Sequence, residues 1–114
     1  MVSQSLVDRA TLDELGAAIG TDKLVRLLDR FIASLATAFD GADRADSDLG
    51  REAHTLVSMS GMLGCAALSQ ACRGLEQSAT LGDDLTRPLV DVRSLRDRTI
   101  AALRDLRMET GVFL

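Results

Sequence analysis

The segment Glu52–Gly64, with the sequence EAHTLVSMSGMLG, carries the periodicity that decides the fold. Counted from Leu49, just before this segment, apolar or small side chains recur at alternating spacings of four and three residues: Leu49, Ala53, Leu56, Ser60 and Leu63. Such spacing is typical of a helix with one face packed into a core. His54, the only histidine of the chain, lies one position away from this stripe. We therefore expect an imidazole on an exposed or half-exposed helix surface, where a partner can reach it.

Two helices are predicted before this segment. Residues 11–14, with the sequence TLDE, have the pattern of a capping box and predict a short helix that ends near Gly20. A second helix, capped by Thr21 or Asp22, is expected to run to about Phe39. An extension to Ala45 is the alternative, which Asp40 and Gly41 disfavour. Leucine and phenylalanine side chains recur along one side of it, so that side is expected to face the core.

The histidine helix and two further helices complete the pattern. Ser47 or Asp48 is expected to cap the histidine helix, which ends at Gly64. A fourth helix is predicted from about residue 66 to residue 80. Pro88 then lies in the first turn of a long last helix, where a missing amide hydrogen costs little. The arginines of this last helix are expected to face mostly solvent: Arg93, Arg96, Arg98 and Arg104.

The whole pattern predicts a single all-α domain over residues 1–114. Four amphipathic helices with short connections favour an antiparallel up-down-up-down four-helix bundle, with the first short helix as a cap. Alanine and leucine are strong helix formers, and the aromatic content of only 3% disfavours sheets. A chain of 114 residues can bury roughly two thirds of its unfolded surface in one core.

Composition and charge argue against several classes of function. The net charge of −4 and the lack of tryptophan and tyrosine disfavour nucleic-acid binding, which uses clustered cations and aromatic stacking. One histidine and two cysteines cannot supply a tetrahedral zinc site, so no metal site is expected. Cys65 and Cys72 are expected to be small buried side chains in a reducing compartment. Because no membrane span or signal-peptide pattern is found, a soluble cytoplasmic protein is expected.

The segment around the histidine resembles a histidine phosphotransfer (HPt) domain. The family pattern is roughly AHTLKGS, then a small residue, two variable positions, leucine or phenylalanine, and glycine, with LxxxCxxLE downstream. This chain has Ala53–Leu56 and Leu63–Gly64 in the first part, and Leu68 and Cys72–Glu76 in the second. Together with the order of the helices, the resemblance covers most of the chain.

The resemblance implies a monomeric four-helix bundle that acts as a phosphocarrier, without a nucleotide-binding site of its own. His54 would accept a phosphoryl group from the aspartate of one response-regulator receiver domain and pass it to the aspartate of another. A sensor histidine kinase, including one of the hybrid type, would be the further partner. Mg²⁺ would be supplied by the receiver domain, so no cofactor of this chain is expected. A neutral imidazole is a competent nucleophile for this chemistry.

The chain departs from the family pattern shortly after the histidine. Val57 stands where the family usually has lysine, and Ser58 stands where it usually has glycine. The lysine is expected to hold positive charge near the phosphoryl group, which adds about −1.5 to −2 charges. Arg51, one helical turn before the histidine, and Arg73 of the next helix are the candidates that would replace this charge.

Small residues beside the histidine are the candidates for partner docking. Gly50, Ser58 and Gly61 would let the active-site loops of a receiver domain come close, and Val57 borders the same surface. A glycine in mid-helix costs up to about 1 kcal/mol relative to alanine, which fits a need for steric room. Close packing between helices is the alternative explanation for the two glycines.

Val57 and Ser58 leave open a second function, an adaptor that binds a receiver domain or a kinase without accepting phosphate. An autokinase is disfavoured, because Thr55 stands where a kinase dimerisation helix usually has an acidic residue and no phosphate-loop pattern is present. A hydrolase is also disfavoured, since it needs a nucleophile and an oriented base. The sequence shows one histidine without an evident acidic partner.

Overall fold

The computed structural model describes residues 6–41 and 44–111. Five helices occur in this part of the chain, and no strand: α1 Arg9–Ile19, α2 Thr21–Thr37, α3 Asp46–Met62, α4 Ala66–Leu81 and α5 Thr86–Gly111. None of these helices combines the length and the hydrophobicity that crossing a membrane requires. The prediction of an all-α chain is confirmed.

The start of α1 differs from the predicted capping box. The Asp8 carboxylate accepts hydrogen bonds from the Ala10 backbone N–H and from the Thr11 hydroxyl, both at 3.0 Å. Asp8 is therefore the N-cap, and the helix begins at Arg9. The prediction of a cap at Thr11 is wrong, because Thr11 lies inside the first turn and its hydroxyl donates to the true cap.

The start of α3 also lies earlier than predicted. Ala45 occupies the N-cap position and makes no side-chain hydrogen bond there, so the expected cap at Ser47 or Asp48 is wrong. Asp46 and Asp48 lie in the first turn instead. Their negative charges interact favourably with the positive end of the helix dipole, which explains an acidic start without a side-chain cap.

Both ends of α2 are displaced slightly from the prediction. Gly20 holds the cap position with a φ of 93°, so Thr21 and Asp22 lie within the helix. The helix ends at Thr37, two residues before the predicted end at Phe39. Phe39 has a φ of 64°, in the left-handed region that residues with a side chain rarely adopt. This reversal turns the chain away from the helix axis.

Three charged side chains hold the backbone at this reversal. Glu52 of α3 accepts a hydrogen bond from the Phe39 N–H. Arg93 of α5 donates to the Phe39 carbonyl from Nε at 3.1 Å and from Nη2 at 2.6 Å. Arg96 donates to the Ala38 carbonyl. The connection after α2 is thereby tied to both α3 and α5.

The expectation that the arginines of the last helix face solvent is wrong for two of them. Arg96 is only 8% exposed and pairs with Asp40 at 2.9 Å. Arg93 is half-buried, whereas Arg98 and Arg104 are exposed as predicted. The sequence pattern counts every arginine as polar, and it cannot show that unpaired carbonyls at the end of another helix lie opposite two of them.

One hydrophobic core contains side chains from all five helices. α3 packs along α4, α4 packs on α5, and α5 and α1 pack on α2. Cys65 and Cys72 are free thiols with no exposed surface, and burial raises the pKa of each to about 12. Their predicted role as small buried side chains is confirmed.

A tight turn at Gly64 joins α3 to α4, as predicted. Gly64 has a φ of 79°, and its carbonyl accepts a hydrogen bond from the Asp8 N–H at 2.8 Å. A Cβ at this position would lie 2.9 Å from the Asp8 carbonyl oxygen, so both the conformation and the space require glycine. The predicted fourth helix and the position of Pro88 in the first turn of α5 are also confirmed.

Replacement by alanine is expected to change the free energy of unfolding in opposite directions at two mid-helix glycines, Gly50 and Gly74. A Cβ on Gly50 would lie 3.0 Å from the Cβ of Ala79, whereas nothing lies within 4 Å of a Cβ on Gly74. Because alanine favours a helix by up to about 1 kcal/mol over glycine, Gly74→Ala should raise the free energy of unfolding by about that amount. Gly50→Ala should lower it, since α3 and α4 must move apart. Urea denaturation measures both, and an equal gain for the two variants would contradict the close contact.

Candidate functional site

His54 lies near the middle of α3, on its exposed face. The imidazole is 73% exposed, while the neighbouring stripe residues Ala53 and Leu56 are buried. The expected position of the histidine, beside the buried stripe and open to solvent, is confirmed. A rigid helix packed on a core therefore presents the ring to whatever approaches this face.

A carboxylate from the neighbouring helix orients this ring. His54 Nδ1 lies 2.7 Å from Glu76 Oε2 of α4. An ionised carboxylate can only accept a hydrogen bond, so in the neutral imidazole Nδ1 carries the hydrogen. Nε2 then has a free lone pair. The contact fixes which nitrogen can act as a nucleophile.

The sequence analysis found no acidic partner for His54, and the structure shows that Glu76 is one. The two residues are 22 positions apart in the chain, beyond the reach of helical periodicity. A signal was present in the sequence. Glu76 follows the core residue Leu75 directly, as His54 follows Ala53, so each lies at the edge of a buried stripe on paired helices.

Close packing of α3 on α4 makes this contact possible. Gly50 is buried against Ala79, one turn before the histidine. On the other side of the histidine, the Ser69 hydroxyl donates to the Val57 carbonyl at 2.8 Å. The two contacts hold the helices close on both sides of the imidazole and the carboxylate.

The four predicted docking residues have different surroundings. Ser58 and Gly61 are exposed, and Val57 is half-buried against the core. Gly50 is buried, and it has the packing role that the sequence analysis left open as the alternative for the glycines. The surface that a partner can touch beside the histidine is therefore formed by Ser58 and Gly61 more than by Gly50.

A shallow cleft of about 430 Å³ opens between α3 and α4 beside the histidine. Its lining combines both helices: Ser47, Gly50, Arg51, His54, Glu76, Ala79 and Thr80. Arg51 is exposed, so the structure brings one of the two predicted phosphate neighbours to the histidine. Arg73 is exposed on α4, one turn before Glu76, but does not line this cleft.

Both arginines are available to an added anion. Within residues 6–41 and 44–111, neither Arg51 nor Arg73 takes part in an ion pair. A phosphoryl group on the exposed ring would bring negative charge next to Glu76, and a nearby cation would offset the repulsion. Arg51 is the better placed of the two, because it shares a cleft with the ring.

Comparisons with known proteins agree with this geometry. The family model described as the Hpt domain matches residues 9–107. A solved structure, histidine-containing phosphotransfer protein B (HptB) from Pseudomonas aeruginosa PAO1, is similar, with a TM-score of 0.70 and 27% sequence identity. The similarity covers 94% of this chain and 95% of that one. No curated protein is significantly similar to the chain.

The contact with Glu76 predicts a measurable tautomer of His54. In the wild type, the neutral ring should carry its hydrogen on Nδ1. In Glu76→Ala the acceptor is lost, so we expect the ¹⁵N shifts of the ring at alkaline pH to move towards those of a tautomer mixture. Two-dimensional ¹H–¹⁵N spectra of the imidazole measure this. Glu76→Gln, whose amide oxygen still accepts, should keep the wild-type tautomer, and identical spectra for wild type and Glu76→Ala would contradict the assignment.

Proposed function

We propose that His54 is the residue that accepts and passes on the phosphoryl group. The chain belongs to the Hpt domain family and acts in histidine phosphotransfer in phosphorelay signalling. The observation that carries this proposal is the 2.7 Å contact between His54 Nδ1 and Glu76, which leaves Nε2 free on an exposed face. Members of this family are phosphocarriers rather than enzymes, and they interact with receiver domains and histidine kinases.

The transfer would be a displacement at phosphorus. The lone pair of His54 Nε2 forms the new N–P bond while the P–O bond to the aspartate of the receiver breaks, and the aspartate leaves as a carboxylate. Nδ1 keeps its hydrogen, so the ring gains positive charge, which the Glu76 carboxylate stabilises through the existing hydrogen bond. In the next transfer an aspartate oxygen attacks phosphorus, and Nε2 leaves as part of a neutral imidazole.

The receiver domain would supply Mg²⁺ for this step, and we propose that the chain has no cofactor of its own. Phosphoryl transfer depends mainly on positioning and on compensation of the charge of the moving group. On this chain, Glu76 would position the ring. Arg51 would compensate charge where the family usually has the lysine that Val57 replaces, with Arg73 as the second candidate.

We also propose the antiparallel up-down-up-down bundle of α2 to α5, with α1 as a cap. Arg93, in the first third of α5, contacts Phe39 just after α2, whereas Arg107, near the end of α5, pairs with Asp29 in the middle of α2 at 2.9 Å. Contacts further along α5 thus reach residues earlier in α2, which supports an antiparallel pair. The same holds for α3 and α4, where His54 contacts Glu76 and the later residue Val57 contacts the earlier residue Ser69. One core shared by all five helices supports a single domain.

The protein is further proposed to be a monomer in the cytoplasm that binds neither nucleic acid nor membrane. Two free, buried thiols fit a reducing compartment. A net charge of −4 does not suit a polyanionic partner such as DNA. The partners proposed for this chain are response-regulator receiver domains and a sensor histidine kinase, which is hybrid in some relays.

An adaptor that docks a receiver domain or a kinase without phosphotransfer is the second candidate. The observation that favours it is the half-buried, apolar Val57, which cannot provide the charge expected at its position. Ser58 adds a side chain where the family usually has none. A substitution of His54 separates the two functions, because an adaptor does not need the imidazole as a nucleophile.

Transfer of label from a receiver domain tests the role of His54. The wild type and His54→Gln are incubated with Mg²⁺ and each ³²P-labelled receiver domain encoded in the genome from which the chain comes. We expect acid-labile, alkali-stable label on the wild type and none on the variant, because only the imidazole offers a free ring nitrogen. Binding of a receiver domain by both proteins, with label on neither, would favour the adaptor.

Substitution of the two arginines tests charge compensation. We expect Arg51→Ala to slow transfer to His54 about tenfold, as the loss of one charge-assisted hydrogen bond would. Arg73→Ala should have a smaller effect, because Arg73 lies outside the cleft. Arg98→Ala on the exposed side of α5 is the matched control and should transfer like the wild type. An unchanged rate for Arg51→Ala would exclude its proposed role.

A further inference from the structure

His54 lies on the seam between α3 and α4, between two glycines of its own helix. Gly50 is four residues before the histidine and Gly61 is seven residues after it, and these spacings place all three on one side of α3. Three side chains of α4 lie opposite them, in reverse order along that helix: Ala79, Glu76 and Ser69. The contact between the histidine and its carboxylate therefore belongs to a longer seam, and the packing of that seam on either side controls it.

The two glycines leave different amounts of room on this seam. A Cβ on Gly61 would lie 3.7 Å from the Ser69 hydroxyl oxygen, which is an ordinary contact, whereas a Cβ on Gly50 would lie 3.0 Å from the Ala79 Cβ. Carbon atoms that are not bonded to each other pack best at about 3.5–4.0 Å. The Ala79 methyl is fixed to its backbone and has no rotamer that avoids the contact. One more methyl group at Gly50 would therefore force the helices apart by roughly half an ångström or more.

A separation at Gly50 reaches the histidine because the two helices are joined at their other end. The tight turn at Gly64 connects them, and a hydrogen bond from Ser69 to α3 holds them together beyond the histidine. Gly50 lies 14 residues and His54 lies 10 residues before this turn, or about 21 and 15 Å along the helix. When the helices open about the turn, roughly two thirds of the separation at Gly50 thus appears between His54 and Glu76.

The contact that would be stretched is short. His54 Nδ1 and Glu76 Oε2 are 2.7 Å apart, at the lower end of the usual range of about 2.7–3.2 Å for N–H···O hydrogen bonds. An increase of several tenths of an ångström weakens the hold of the carboxylate on the Nδ1 hydrogen. An imidazole without this acceptor divides its hydrogen between the two nitrogens. A ring with the hydrogen on Nε2 has no lone pair there that can attack phosphorus.

We propose that Gly50 and Ala79 are positioning residues for His54, because their close contact sets the helix separation at which Glu76 holds the reactive tautomer. This inference rests on the proposed function. It gives Gly50 a part in phosphoryl transfer that differs from partner docking, since Gly50 is buried and acts through the carboxylate. A misplacement of about 1 Å can cost about 10²-fold in rate, so a displacement of several tenths of an ångström should cost about fivefold.

The test moves one methyl group across the seam. Gly50→Ala adds a methyl on α3, and the double variant Gly50→Ala/Ala79→Gly removes the opposing methyl from α4. The matched control is Gly74→Ala on α4, where nothing lies within 4 Å of the added Cβ. Ala79→Val, at a half-buried position, enlarges the same contact from α4 and replaces Gly50→Ala if that variant does not fold. Urea denaturation shows which variants are folded under the assay conditions.

Two measurements separate positioning from docking. Two-dimensional ¹H–¹⁵N spectra at alkaline pH report the tautomer of the His54 ring. Labelling by phosphoramidate, a small donor that needs no docking surface, is followed beside transfer from the receiver domain that labels the wild type. In the phosphoramidate reaction the bond between phosphorus and the donor nitrogen breaks, ammonia leaves, and the new bond forms to Nε2. A docking residue affects only the receiver domain, whereas a positioning residue affects both donors and the spectrum.

Gly50→Ala should be labelled about fivefold more slowly by both donors, and its ring signals should move towards those of Glu76→Ala. The double variant should regain the rate and the tautomer of the wild type, and Gly74→Ala should keep both. In a Glu76→Ala background, Gly50→Ala should not slow labelling further, because the carboxylate through which it acts is absent.

The rate and spectrum of the wild type in folded Gly50→Ala would overturn the inference. A slowed Gly50→Ala that Ala79→Gly does not rescue would also overturn it, and slowing with the receiver domain alone would assign Gly50 to partner docking instead. In all these cases label on His54 of the wild type leaves the proposed function intact. A wild type that neither donor labels would remove the proposed function itself.

Discussion

The close approach of α3 to α4 is the constraint on which the site depends. Gly50 leaves room for Ala79, and the tight turn at Gly64 starts α4 back along α3 within a few residues. Only at this short separation can Glu76 reach the ring of His54. A glycine that costs the isolated helix stability is therefore retained where it allows two helices to pack and a carboxylate to orient an imidazole.

The turn after α2 is joined to α3 and α5 by charge and hydrogen bonds instead of by small side chains. Glu52 holds the left-handed backbone of Phe39 from one side, and Arg93 and Arg96 hold the same turn from the other. Backbone groups at the end of a helix need partners, and here side chains of two other helices provide them. The same turn places α2 beside α3, so Ser34 of α2 and Arg51 of α3 line one cleft.

Local features of the structure could be predicted well from the sequence. The stripe from Leu49 to Leu63, the exposed His54 and the turn at Gly64 all depend on residues within one or two helical turns. The caps were predicted less well, because several polar residues near each helix start can satisfy the same amide groups. The N-cap of α1 is Asp8 and not Thr11, since the Asp8 carboxylate accepts hydrogen bonds from both the Ala10 backbone N–H and the Thr11 hydroxyl.

The sequence by itself determined the helical character of the chain, the order of the helices and the presence of one exposed histidine in a family motif. These follow from periodicity, composition and neighbouring residues. Only the tertiary structure decided that Glu76 orients the ring, that Gly50 serves packing, and that Arg93 and Arg96 turn inward to carbonyl groups. The physical reason is distance along the chain: each of these contacts joins a helix to another helix or to the turn after α2, and helical periodicity carries no information about which element lies opposite.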